Sequence, residues 1–223
     1  MVGRIAVWVL PVLFAITLHE VAHGWVAKLL GDKTAERLGR LSLNPLKHVD
    51  PVGTIVLPGL MLLFTSFIFG WAKPVPVDWS KLRHPKRDVG LVAVAGPAAN
   101  LLMVVFWIIA SKLALILGVR SISIPLIYMS AAGIYINIML MLINLVPLPP
   151  LDGGRILTSL LPDKWAYQFG QIERYGFIIL ILLMTTPALS MILGPPLSVL
   201  LGFSLLTAGI PHGILYQLMG SGS

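Results

Sequence analysis

Six long apolar stretches make up most of this chain, and they constrain its fold more than any other feature. They cover residues 5–30, 52–69, 90–117, 122–148, 175–193 and 196–218. Most are close to the roughly 20 residues that an α-helix needs to cross a bilayer. Only 11% of the 223 residues are charged, whereas a soluble domain carries about 25%. The sequence therefore predicts an all-α polytopic membrane protein.

The placement of Lys and Arg predicts how these stretches are arranged. If the stretch 52–69 enters the membrane and returns, bending at Pro58-Gly59, thirteen of the 16 basic residues share one side. If it crosses fully, the basic loops 31–51 and 71–89 lie on opposite faces. The positive-inside rule favours the first arrangement. We therefore expect about five full spans and one re-entrant segment, with both basic loops on the cytoplasmic side.

The remaining composition limits the domains and the partners. We expect a single membrane domain over residues 1–219, with 220–223 as a tail. The chain has no cysteine, which excludes disulfides and thiolate metal sites. Its net charge of +7 is attributed to membrane orientation. The expected partner is therefore a lipid bilayer and no nucleic acid.

Residues 19–23 read His-Glu-Val-Ala-His, the H-E-x-x-H pattern, within the first apolar stretch. Positions i and i+4 of a helix lie one turn apart on the same face, so His19 and His23 can bind one zinc ion. Glu20 projects beside them and suits a general base for the water that such an ion activates. Glu20 also lies about 12 Å along the helix axis from Lys28. Because ionisable groups at that depth are costly and usually functional, the motif predicts one catalytic zinc ion rather than two core histidines.

A catalytic zinc site needs a third protein ligand and an open position. By residue type, His48, His84, His212 and the acidic residues are all candidates. Asp152 has a modest lead, because it follows the fourth apolar stretch at a Pro-Pro break and precedes two glycines. An Asp-Gly-Gly sequence alone is more often a loop turn than a ligand. The residues by themselves leave the third ligand open.

Two asparagines in the apolar stretches are candidate substrate-binding or oxyanion-binding residues. Asn144 ends the fourth stretch, and Asn100 lies early in the third. A buried Asn in a membrane protein often forms hydrogen bonds between helices. The alternative is a donor to the oxyanion or to the substrate backbone. Both interpretations are open at this point.

The loop after the first stretch contains an alternating pattern. Residues 39–44, Gly-Arg-Leu-Ser-Leu-Asn, alternate apolar and polar side chains. The pattern predicts a small membrane-associated β element that could pair with an extended substrate backbone. An ordinary surface hairpin is the alternative. His48 and Asp50, which follow, are expected in a loop at the membrane surface.

Several segments together carry a resemblance to a known family. They are the H-E-x-x-H pattern, 39–45 (GRLSLNP), 70–77 (GWAKPVPV), 95–101 (AGPAANL) and 144–154 (NLVPLPPLDGG). Together they resemble the site-2 protease family of intramembrane zinc metalloproteases, in its short bacterial or archaeal form without PDZ or CBS domains. The resemblance implies that His19, His23 and Asp152 bind zinc and that Glu20 is the catalytic acid/base. It also implies that the substrate is a transmembrane protein or peptide and that the protein lies in a prokaryotic plasma membrane. With the basic loops in the cytoplasm, the active site is expected toward the cytoplasmic side.

These observations predict a zinc-dependent intramembrane endopeptidase that hydrolyses peptide bonds within or near transmembrane segments. A membrane transporter or channel with a metal or proton site in its pathway is the alternative. It explains intramembrane His, Glu and Asp, but not a Glu directly beside the first His of a zinc-protease motif. A catalytically inactive scaffold is a second alternative. The intact set of His19, Glu20, His23 and Asp152 argues against it.

Overall fold

The computed structural model describes residues 2–56 and 73–219, and most of these residues are helical. In chain order the helices are α1 (Val2–Leu29), α2 (Thr34–Arg37), α3 (Pro85–Leu117), α4 (Arg120–Asn144), α5 (Asp152–Leu160), α6 (Asp163–Gly170), α7 (Glu173–Thr185), α8 (Pro187–Ala208) and α9 (His212–Met219). Short 3₁₀ or π turns cover Pro45–His48, Pro51–Val56 and Trp79–Lys81.

Four of the described helices are long and apolar enough to cross a membrane. They are α1 over Val7–Leu29, α3, α4 and α8. The prediction of a polytopic helical membrane protein is therefore confirmed. The prediction of about five full spans is not confirmed, because the part of the chain that the structure describes contains four such helices.

The predicted span 175–193 is divided between two helices. Thr186 is extended, with φ −111° and ψ 161°, and Pro187 follows it as the first residue of α8. A proline disfavours helical geometry at the residue before it and suits the first turn of a new helix, where its missing N–H costs nothing. The sequence predicted a break between residues 193 and 196. Helix α8 instead continues through this region, including Pro195 and Pro196. A membrane helix tolerates such prolines when its neighbours satisfy the freed carbonyls.

Helix α1 ends at the same end of the bundle at which α3 begins. The backbone N–H of Arg83 donates to the Leu30 carbonyl at 3.0 Å, and that of Asp78 donates to Asp32 Oδ2 at 2.7 Å. The chain between α1 and α3 thus leaves and returns at one end. Both basic loops lie there, as the charge pattern predicts. The bend itself, at Pro58-Gly59, lies outside the described residues.

The main core lies where α3 crosses α4, with α8 and α9 against them. Trp107 of α3 is only 4% exposed and lies on Gly133 of α4. A Cβ at position 133 would lie 2.4 Å from the indole ring. The absence of a side chain there lets the two helices pack closely, as small residues do in membrane bundles. This contact fixes α4 against the helices that carry the site.

The β element predicted for residues 39–44 is not confirmed, since no strand occurs among residues 2–56 and 73–219. Side chains, rather than a neighbouring strand, hold this loop. The Arg40 guanidinium donates to the carbonyls of Lys73 and Pro74 at 3.0 and 3.3 Å, and Asn44 Oδ1 accepts from the Leu46 N–H at 3.0 Å. An Asn that caps the following turn in this way ends an extended run.

Candidate metal centre

Three side chains from α1 and α5 meet at one point. The His19 and His23 Nε2 atoms are 3.1 Å apart, and Asp152 Oδ2 lies 3.2 Å and 3.3 Å from them, respectively. Among the described residues these three form the group of His, Asp and Glu whose donor atoms could hold a metal ion. The structure thus brings Asp152 to the two histidines across more than a hundred residues of sequence.

The hydrogen-bond partner of Nδ1 in each imidazole determines that Nε2 faces this point. His23 Nδ1 lies 2.7 Å from the carbonyl oxygen of Val92, and His19 Nδ1 lies 2.7 Å from Asn100 Oδ1. A carbonyl oxygen only accepts, so Nδ1 of His23 carries the proton. A neutral imidazole protonated at Nδ1 has its lone pair on Nε2. That is the arrangement that a metal-binding histidine needs.

Asp152 reaches the histidines because the start of α5 lies directly under the preceding loop. A Cβ at Gly153 would lie 2.3 Å from the Leu145 carbonyl oxygen, and one at Gly154 would lie 2.3 Å from the Pro149 nitrogen. Neither glycine has a positive φ. The two glycines are therefore required for close approach of backbone segments, and not for the tight turn that the sequence suggested.

The three ligand atoms fit a zinc ion. A tetrahedral zinc ion with ligands at about 2.0–2.1 Å places its ligand atoms about 3.3 Å apart. The measured separations are 3.1, 3.2 and 3.3 Å. Asp152 Oδ2 is also buried without a hydrogen-bond donor. A buried carboxylate oxygen needs a partner, and a cation between the three atoms would supply it.

Glu20 lies on the neighbouring face of α1 and is held by the backbone of another segment. Its Oε2 accepts a 2.8 Å hydrogen bond from the N–H of Val75. Val75 lies between two prolines, so within residues 74–76 it is the single backbone donor. The side chain of Val75 packs over Gly24, where a Cβ would lie 2.7 Å from Val75 Cγ1. The glycine after the H-E-x-x-H motif thus lets this segment approach the helix.

Residues from the segment before α3, namely Pro74, Val75, Val77 and Trp79, form one wall of a cavity of about 330 Å³ that the three ligand residues also line. The opposite wall includes Asn144 from α4, and Asp152 and Arg155 from α5. The Arg155 guanidinium stacks on the Trp79 ring at 4.6 Å from its centroid, a cation–π contact that joins the two walls. The site is therefore open to a ligand on the side of Glu20.

The other candidate residues lie outside the group of three ligands. Asn144 lines the cavity, but Asn100 is fully buried behind His19 and is not among the lining residues. His48 is 2% exposed, and its Nε2 donates to the Ser42 carbonyl at 2.8 Å. His48 thus lies in the loop after α2, in the 3₁₀ turn Pro45–His48, with its side chain buried, and the position of this loop at the membrane surface stays a prediction. His84 is exposed at the N-cap position of α3, where its side chain makes no capping hydrogen bond. The side chain of His212 lies outside the described part of the chain.

The residues that hold the site from behind or above, Val75, Trp79 and Asn137, could not be identified from the sequence. Val75 and Trp79 have apolar or aromatic side chains, which do not mark them as site residues, and Asn137 shares a helix face with Asn144 without any sign of the contact that it makes with α3. A spacing of seven residues places Asn137 and Asn144 about two turns apart. Spacing within one helix carries no information about contacts with other helices.

Comparison with known proteins gives a consistent result. The family model of peptidase family M50 matches residues 112–184, which include Asn144 and Asp152. "Putative zinc metalloprotease YwhC" of Bacillus subtilis is 39% identical over 193 residues, which is 85% of each chain. No solved structure matches the chain with significance.

Two further relatives are more distant. "Putative zinc metalloprotease Rip2" of Mycolicibacterium smegmatis is 32% identical over 184 residues, covering 80% of this chain and 66% of the relative. "Zinc metalloprotease MJ0392" of Methanocaldococcus jannaschii is 25% identical over 162 residues, covering 73% of this chain and 36% of the relative. All three relatives are named as zinc metalloproteases, two of them as putative ones.

Proposed function

Because this chain belongs to peptidase family M50, the site-2 protease family, we propose that it is a one-zinc endopeptidase that cuts within or near transmembrane segments. Family membership makes the protein a metalloprotease and therefore a hydrolase. The four apolar helices among the described residues, together with this family, make it an integral membrane protein. The single ion, the membrane-embedded substrate and the orientation in the membrane are our proposals.

One observation carries the proposal. His19 Nε2, His23 Nε2 and Asp152 Oδ2 lie 3.1–3.3 Å from one another beside a cavity that Glu20 also lines. Three protein ligands with an accessible fourth position are typical of catalytic zinc, whereas structural zinc has four protein ligands. A catalytic carboxylate next to such a position distinguishes a hydrolase from a simple metal store.

Glu20 and Asn144 would have separate roles in the reaction. When bound, zinc polarises a peptide carbonyl and lowers the pKa of a water molecule to about 7. Glu20, oriented by the Val75 N–H, would take the water proton and deliver it to the leaving amine. Asn144 donates one amide hydrogen to the Leu140 carbonyl at 2.9 Å. Its second amide hydrogen is then available for the oxyanion of the substrate.

The position of the cavity supports a substrate that comes from the membrane. Two of the three ligands, His19 and His23, belong to α1, which is long and apolar enough to cross a membrane. A helical substrate must unwind before it is cut, and its freed backbone groups then need hydrogen-bond partners. We propose that the substrate lies in extended form along residues 73–78, which belong to neither a helix nor a strand and contribute Pro74, Val75 and Val77 to the cavity. This replaces the predicted strand at 39–44 as the surface for the substrate backbone.

The proposed orientation places the basic end of the bundle in the cytoplasm of a prokaryotic cell. The loops that contain Lys33, Arg37, Lys81 and Arg83 lie at the end of α1 nearest the cavity. Lys112 and Arg120 lie at the other end of α3 and α4. The positive-inside rule assigns the end with more basic residues to the cytoplasm, so water would reach the site from that side.

A zinc and cleavage assay with a matched pair of variants tests this function. Zinc per chain and cleavage of a transmembrane reporter in liposomes are measured for Asp152→Ala and for His48→Ala. We expect Asp152→Ala to lose both, and His48→Ala to keep both, because His48 is buried but outside the ligand group. Loss of zinc in His48→Ala alone would contradict the ligand set. Cleavage that persists after zinc removal would contradict the function.

A further inference from the structure

A chain of hydrogen bonds between helices ends on His19. Asn137 Nδ2 donates to the Gly133 carbonyl at 2.8 Å, and Asn100 Nδ2 donates to Asn137 Oδ1 at 2.9 Å and to the Ala15 carbonyl at 3.2 Å. Asn100 Oδ1 then lies 2.7 Å from His19 Nδ1. Both asparagine side chains are fully buried, at 0% exposure. The bonds connect α4, α3 and α1.

Backbone carbonyls determine the direction of every bond in this chain. The carbonyls of Gly133 and Ala15 only accept, so the amide nitrogens of Asn137 and Asn100 must face them. Asn100 Oδ1 is then left to face His19. Since that oxygen only accepts, Nδ1 of His19 must carry the proton, and the lone pair lies on Nε2.

We propose that Asn100, supported by Asn137, is a positioning residue that holds His19 in the tautomer and ring orientation needed to bind zinc. This inference rests on the proposed zinc site. It assigns Asn100 a role different from the substrate or oxyanion contact that the sequence left open. His23 needs no such side chain, because the backbone carbonyl of Val92 holds its Nδ1.

The competing explanation is that Asn100 only joins helices, as buried asparagines in membrane proteins often do. The chain offers a control for that role. Ser111, eleven residues later on α3, is fully buried and donates to the Ala208 carbonyl at 3.1 Å. It joins α3 to the end of α8 and lies about 16 Å along the helix axis from Asn100. Ser111→Ala removes a bond between helices without touching the ligands.

The test measures zinc affinity of the full chain in detergent by competition with a chromogenic chelator, with thermal unfolding of the zinc-free protein in parallel. Loss of the hydrogen-bond partner of a zinc-binding histidine typically lowers metal affinity by about 10–100-fold. We expect that loss in Asn100→Ala, a smaller loss in Asn137→Ala and none in Ser111→Ala. Asn100→Asp should recover most of the affinity, because a carboxyl oxygen still accepts from Nδ1. The visible spectrum of the cobalt-substituted protein should change in Asn100→Ala and not in Ser111→Ala.

A double variant shows whether the effect passes through His19. In a His19→Ala background, Asn100→Ala should cause no further loss of zinc affinity, because residues that act as a unit are not additive. If Asn100→Ala lowers the unfolding temperature but leaves zinc affinity at the wild-type value, the proposal is wrong and Asn100 only joins helices. If Asn100→Ala does not fold, the test rests on Asn137→Ala. A zinc affinity of Asn137→Ala equal to that of Ser111→Ala would then overturn the proposal. If the wild-type chain binds no zinc while folded, the zinc site fails and this proposal fails with it.

Discussion

Gly96 of α3 lies directly against the His23 imidazole of α1. A Cβ built on Gly96 would lie 2.4 Å from His23 Nε2 and 2.5 Å from His19 Cε1. No real side-chain atom tolerates such distances, so the two rings occupy the space where a side chain of α3 would be. The absence of that side chain sets how closely α3 approaches the ligands.

Gly96→Ala is therefore expected to lower zinc content and activity. Alanine is the better helix former by about 0.8–1.0 kcal/mol, yet here its methyl group would displace the two imidazoles. A shift of about 1 Å in a catalytic group can cost about 100-fold in rate. Zinc per chain and reporter cleavage measure the effect. Gly202→Ala in α8 is the control, since nothing lies within 4 Å of its Cβ, and full zinc in Gly96→Ala would contradict the packing argument.

Val75→Pro tests the hydrogen bond to Glu20. Proline removes the N–H that donates to Oε2, while Val75→Ala removes side-chain packing and keeps the donor. A hydrogen bond to a charged group contributes about 1.5–3 kcal/mol, so we expect a loss of roughly 10–100-fold in kcat for Val75→Pro. Zinc content should not change, since Glu20 is not a ligand in this account. Equal rates for the two variants would show that the bond does not matter for catalysis.

The lowered pKa of Asp32 leads us to expect that the stability of the protein depends on pH. Burial by itself would raise the pKa of Asp32, but hydrogen bonds from the Thr34 hydroxyl and from the backbone N–H groups of Asp78 and Thr34, with the charge of Lys81, hold the pKa below its usual value. A carboxyl with a lowered pKa in the folded state stabilises the protein above its unfolded pKa of about 3.9. That stabilisation is lost as the pH falls through the lower folded value.

We therefore expect the unfolding temperature of Asp32→Asn to lie below the wild-type value at pH 7, with the difference shrinking below about pH 4. Thermal unfolding in detergent at a series of pH values measures this difference. Glu173→Gln, an exposed change at the start of α7, is the control. A difference between Asp32→Asn and wild type that is constant from pH 7 to pH 3 would contradict the role given to the carboxylate.

Those parts of the site that lie within one local pattern could be predicted from the sequence. The spacing of His19 and His23 determines a shared helix face, and Glu20 follows from the same motif. Contacts between distant segments could not be predicted in this way. Asn100 and His19 are 81 residues apart, and only the crossing of α1 and α3 brings them together.

Helix ends were predicted less well, because apolar composition does not mark where a membrane helix stops. The end of α7 depends on the backbone effect of Pro187 on Thr186, whereas α8 continues through two other prolines. Whether a proline breaks a helix depends on which neighbours satisfy the freed carbonyls. The position of residues 73–78 depends in the same way on distant residues, because Asp32, Arg40 and Glu20 bind the backbone of this segment.

Single cysteines in this naturally cysteine-free chain test the orientation. Ser42 and Ser80 lie in the two loops between α1 and α3, which begin and end at the same end of the bundle. We expect Ser42→Cys and Ser80→Cys to resist an impermeant thiol reagent in intact cells and to react after lysis. Labelling of both cysteines from outside would mean that the basic loops face the exterior and that the proposed orientation is wrong. Labelling of one alone would mean that the chain between them crosses the membrane once.

Glu20→Gln tests the central claim most directly, because it separates zinc binding from catalysis. The amide keeps the size of the side chain and leaves His19, His23 and Asp152 unchanged, so zinc content and folding should stay at wild-type values. Loss of a positioned acid–base group lowers the rate by about 10²–10⁴-fold, and cleavage of a transmembrane reporter in liposomes should fall by at least that factor. Zinc and cleavage are measured on the same preparation. Full cleavage with zinc bound would contradict the assignment of Glu20 as the general base, and loss of zinc together with activity would make Glu20 a ligand or a structural residue.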